Sequence, residues 1–131
     1  MPFSYKVDPE NQLITIMGSG YASMEERYEC IHRIMKDQSI DGKYSILINV
    51  CQVSNGPTPD NMLSIVSLVE RLQSKFGGRV AIVNTQIGHV TITNLIALSA
   101  HCGADSVRAF LCENDALEWL CTSTPLPSLL Y

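Results

Sequence analysis

The chain has 131 residues, 46% of them hydrophobic and 17% charged, with 9 Lys+Arg against 13 Asp+Glu for a net charge of −4. That length fits one domain able to bury a core without metal or disulfide, and the apolar content argues against disorder. The acidic balance disfavours nucleic-acid binding, which needs a concentrated basic face, and no apolar run is long enough for a membrane span.

Phe3–Val7 and Leu13–Met17 alternate apolar and polar residues around the turn-forming Asp8-Pro9-Glu10-Asn11, which predicts a β-hairpin ended by Gly18-Ser19-Gly20. Ser23 with Glu26 three residues on is a capping box. Met24, Tyr28, Ile31, Ile34 and Met35 then recur at helical spacing to about Asp37. After Asp41-Gly42, Tyr44–Val50 is rich in β-branched residues and predicts a strand. The loop Ser54-Asn55-Gly56-Pro57 leads to Thr58 as N-cap, with Pro59 at the first helical position and Asp60 in the first turn. That helix carries Met62, Ile65, Val66, Val69, Leu72 and Phe76 as its main stripe, places Leu63 and Leu68 off it, and stops at Gly77-Gly78.

Arg79–Asn84 reads as a strand buried on both faces. A third helix is expected from about Thr91 to Cys102, a strand over Ser106–Leu111, and a last helix capped by Asn114 and docked through Ala116, Leu117, Trp119 and Leu120. The fold class is therefore α/β: one mixed five-stranded sheet, a hairpin followed by parallel strands, with four helices in the order ββαβαβαβα. Residues 1–121 form the domain and 122–131, with Pro125 and Pro127, a loose C-terminal tail.

This order resembles the STAS domain of bacterial anti-sigma-factor antagonists, and more closely the SpoIIAA-like family, which is also compared with the lipid-binding CRAL-TRIO fold. Three places carry the resemblance: the hairpin with its capped helix Ser23–Asp37, the strand-loop-helix Ile46–Val50 to Gly56–Asp60, and the ending Phe110 to Leu120. The resemblance implies a non-enzymatic cytoplasmic protein of bacterial type. In STAS antagonists a Ser at the start of the helix after this strand is phosphorylated by a partner kinase. Pro57-Thr58-Pro59-Asp60 falls on that Asp-Ser-Ser-Gly pattern, so Thr58 occupies the phosphoacceptor slot although its flanks differ. By the same comparison, a protein partner would meet Ser54, Asn55, Gly56 and Asp60. Thr58 as a helix cap alone is the simpler reading of the same residues.

From Val80 to Ala104 there are charges only at the Arg79 boundary before it and none within. A surface helix of a monomer carries a charged face, so this segment either packs within its own domain, meets a second copy in a dimer, or lines a pocket for an apolar, lipid-like ligand. Leu63, Leu68, Ile92, Leu95, Ile96 and Leu98 are the candidate residues for such an interface or ligand.

Cys30, Cys51, Cys102, Cys112 and Cys121 are an odd set without a C-x-x-C pair, which fits reduced thiols. His101 and Cys102, neighbours on a helix, point to different faces, so a metal site of these two with Cys112 is not expected. Cys51 and His89 could form a nucleophile–base pair at the carboxyl ends of neighbouring strands. The glycine pairs match no nucleotide-binding motif, so no cofactor is expected.

Overall fold

The computed structural model describes residues 2–55, 59–85 and 106–121. Strands β1 (Phe3–Asp8) and β2 (Leu13–Gly20) form the antiparallel hairpin. The Asp8 carboxylate accepts from the Asn11 amide at 2.8 Å and its backbone N–H at 3.2 Å, which sets the turn. Helix α1 (Met24–Lys36), β3 (Tyr44–Val53), α2 (Pro59–Phe76), β4 (Gly77–Val83), β5 (Val107–Phe110) and α3 (Glu113–Cys121) follow. The sheet order is β1-β2-β3-β4-β5, with β2 to β5 mutually parallel. The expected α/β architecture and five-stranded mixed sheet are present, with three helices among the described residues. The expected third helix, about 91–102, and the tail 122–131 lie outside the described residues.

Alternation along the strands sends successive side chains to opposite faces of the sheet. One face gathers Phe3, Ile14, Ile16, Tyr44, Ile46 and Val80 under α1 and α2, which contribute Cys30, Ile31, Ile34, Leu68, Val69, Leu72 and Phe76. The other gathers Leu47, Ala81 and Val83 under Ala116 of α3. Arg79 fastens α3. Its guanidinium lies 4.9 Å from the centre of the Trp119 ring and donates to the Trp119 carbonyl at 2.8 Å.

Several boundaries differ from the sequence pattern. β2 does not end at Gly18 but runs through Gly20, with a register shift between Met17 and Ser19. A Cβ at Gly18 would stand 2.6 Å from the Phe3 ring, so the missing side chain is what lets that ring seat. β3 extends to Val53 and so includes Cys51. Gly77-Gly78 opens β4 rather than forming a separate turn. Gly77, at φ 74°, takes the left-handed conformation that ends α2 and starts the strand in one step. α3 begins at Glu113, so Asn114 lies inside its first turn, and the Cys112 carbonyl accepts the first helical bond from Ala116 at 3.2 Å.

Two helix faces also differ. Leu68, expected off the main stripe, is 4% exposed and belongs to the core. It stands four residues before Leu72 and eight before Phe76, which returns it to the same side of the helix. Tyr28, expected on the buried stripe of α1, is 44% exposed, and Cys30 lies in the core instead.

Candidate functional site

In open α/β sheets, ligands and partners gather at the carboxyl ends of the parallel strands. Here that edge is formed by the ends of β2, β3, β4 and β5, the start of α3 and the loop after β3. Asn49, near the end of the apolar run of β3, donates through its side-chain amide to Glu113 at 2.7 Å, while its carbonyl oxygen accepts from the Cys51 N–H at 3.0 Å. The Cys51 thiol points at the Val83 carbonyl, 3.7 Å away. Across the neighbouring strands, the Asn84 N–H donates to the Phe110 carbonyl at 3.0 Å.

The loop after β3 is held to the loop after β2. Ser54 N–H donates to the Gly20 carbonyl at 2.9 Å. The Asn55 side chain accepts from Ala22 N–H at 2.7 Å and donates to Ala22 C=O at 2.8 Å. One amide thus satisfies both backbone groups of a residue that is 2% exposed, at the entry to α1. Next to this clamp, Tyr21 is 72% exposed.

The start of α1, on the same edge, is closed by its own residues. Ser23 Oγ accepts from the Glu26 N–H at 3.1 Å, and the Glu26 carboxylate accepts from the Ser23 N–H at 3.1 Å and hydroxyl at 3.0 Å. The expected capping box is therefore formed, and the Ser23 N–H is the main reason the Glu26 carboxyl is held below its ordinary range. One turn on, Arg27 lies over the Phe3 ring at 5.6 Å, and burial lowers its pKa. Farther from the edge, burial raises the Cys30 thiol.

Of the candidate residues, Ser54 is exposed and Asn55 half-buried in its clamp. Gly56, Thr58 and the side chain of Asp60 lie outside the described residues. Leu63 is 72% exposed and Leu68 buried, while Ile92, Leu95, Ile96 and Leu98 lie outside. Cys51 is half-buried and His89 lies outside, as do His101 and Cys102. The Asn49–Glu113 pair was not among the candidates. Its members are 64 residues apart in the chain, and the only local signal was an amide ending an apolar strand. Among the described residues of this edge, the Asn49 and Asn55 amides bond backbone groups and one carboxylate, and the Cys51 thiol faces a carbonyl.

With this geometry the chain is similar to an uncharacterised protein of the DUF3478 family from Shewanella loihica PV-4, whose structure has a SpoIIAA-like fold. The match covers 91% of this chain and 92% of that one, with a TM-score of 0.61 and 19% sequence identity. The fold is SpoIIAA-like. The resemblance read from the sequence order thus holds at the level of the fold. No protein-family model and no curated protein matches the chain. Among the described residues of this SpoIIAA-like domain, no helix is long and apolar enough to cross a membrane.

Proposed function

We propose that this SpoIIAA-like chain is a non-enzymatic binding module that self-associates and meets a protein partner through the loop Ser54–Asp60. The observation that supports this most is the double hydrogen bond of Asn55 to Ala22, which gives the loop a fixed base beside the exposed Ser54 and Tyr21. A recognition loop held at its root loses less entropy on binding than a free one. Thr58, ahead of α2, is the proposed phosphoacceptor. A phosphate there would sit at a helix start, where backbone N–H groups and the dipole favour an anion, and would alter the charge the partner meets. Self-association is supported by the uncharged stretch from Val80 to Ala104 and by the exposed Leu63.

Native mass spectrometry on the full chain, purified without detergent, tests the reading. A dimer without added mass is the expected result. A retained apolar molecule would replace the proposal with a lipid-like carrier. A thiol titration separates the third class: Cys51, directed at the Val83 carbonyl, should react more slowly than the exposed Cys112 and Cys121. A Cys51 that reacts fastest of these would favour an enzyme. Thr58→Glu should abolish binding to a partner that recognises the unmodified loop.

A further inference from the structure

Between α1 and α2 runs an open groove of about 490 Å³, lined by residues of both helices. Its floor is apolar, with Ile31 and Met35 from α1 and Leu68 from α2. Its α1 rim carries Glu25, Glu29, His32 and Lys36. These four recur at intervals of four, three and four residues, so they form one row along the exposed side of the helix. The row is acidic in its first half and basic in its second.

A helix dipole favours acids first and bases last. It does not account for the local pairing. Glu25 has Glu29 one turn on, and Lys36 has Arg33 and His32 one turn back. Neither has an opposite charge at the three- or four-residue spacing that stabilises an isolated helix, and like charges at that spacing destabilise it. The row is, however, self-complementary. Laid antiparallel against itself, it sets each acid opposite a base.

We propose that the α1–α2 face is the contact with a second copy of the chain, with the two α1 helices antiparallel across a two-fold axis. Glu25 then meets Lys36 of the partner subunit, and Glu29 meets His32 of the partner subunit. Tyr28, 44% exposed, lines the same groove and falls within the contact. Such an interface is isologous, so every contact occurs twice. From Glu25 to Lys36 the row spans ~16 Å, and two adjacent helices present a face on the order of 20 Å by 20 Å. That is the low end for a specific interface, so the dimer is weak, concentration-dependent and weakened by salt. The inference rests on the self-association reading and names its face.

Sedimentation equilibrium of the full chain, over a concentration series at low and high salt, tests it. Because the axis doubles each change, Glu25→Lys should weaken dimerisation about tenfold, as should Lys36→Glu. The combined Glu25→Lys/Lys36→Glu protein, complementary again, should recover the wild-type constant. All four positions are exposed, and circular dichroism checks that each variant keeps its helix. A wild-type chain that stays monomeric throughout would overturn both the self-association reading and this face. A dimer indifferent to the charge changes, or one dissociated by Leu95→Glu alone, would overturn this face and leave self-association standing.

Discussion

The two faces of the sheet are covered by different means. Under α1 and α2, long branched and aromatic side chains interdigitate: Ile14, Ile16, Ile34, Ile46, Leu72 and Phe76 are all at most 3% exposed. Under α3 the buried set is shorter, Leu47, Ala81, Val83 and Ala116, and its rim is made by Trp119, which packs on Phe110 at 5.6 Å and lies under Arg79 at 4.9 Å. The first face is stable through apolar volume. The second depends on close approach of a short helix and a few directional contacts, and among the described elements α3 leaves Met17 of β2 41% exposed. The difference teaches that burial on one face can anchor the fold while the other remains open to adjustment.

Emptying the first face should produce the largest effect. Ile34→Ala removes a fully buried side chain between α1 and the sheet and should cost about 2–5 kcal/mol in urea unfolding. A smaller loss is expected from overfilling the second. Ala116→Leu should cost about 1–3 kcal/mol and shift Trp119 fluorescence, while amide exchange in β2 and β3 stays protected. If that protection is lost too, the faces are coupled more tightly than their packing implies.

At the carboxyl edge, Asn55→Ala leaves the backbone groups of Ala22 without their partner. About 1–2 kcal/mol should be lost, together with order in the loop after β3, read by amide exchange at Ser54.

Acid should act least, at both ends of α1 and in the hairpin turn. Asp37 is held below its ordinary range by the Ser39 hydroxyl and then by the Tyr5 hydroxyl, which donates at 2.7 Å. Asp8 is held low by Asn11, and Glu26 by Ser23. Carboxyls with pKa values depressed in the folded state contribute stability above their unfolded pKa and lose it as the pH falls through the folded value. Thermal melts should therefore shift downward as pH drops below the ordinary carboxylate range, and Asp37→Asn should flatten part of that slope.

Much of this architecture is legible in the chain itself, because its signals are local. The capping box Ser23/Glu26, the hairpin around Asp8–Asn11 and the apolar run of β3 each depend on residues within a few positions of one another. Boundaries were less legible where a glycine serves a neighbour. Gly18 stays in its strand because Phe3 needs the space, and Gly78 enters β4 because a Cβ there would collide with the Tyr44 backbone. A local pattern reads both as turns.

The candidate site divides the same way. Composition and order alone determined that this is an α/β domain of net negative charge, with a capped first helix and a hydrophobic segment without charge. Only the tertiary structure decided that Asn49 meets Glu113, that Asn55 holds Ala22, and that Leu68 is core while Tyr28 is rim. Helical periodicity names a stripe, but its centre depends on how the helix is rolled against the sheet. Hydrogen bonds between groups 33 or 64 residues apart, from loop to loop and from strand to helix, exist only after the chain has folded back on itself.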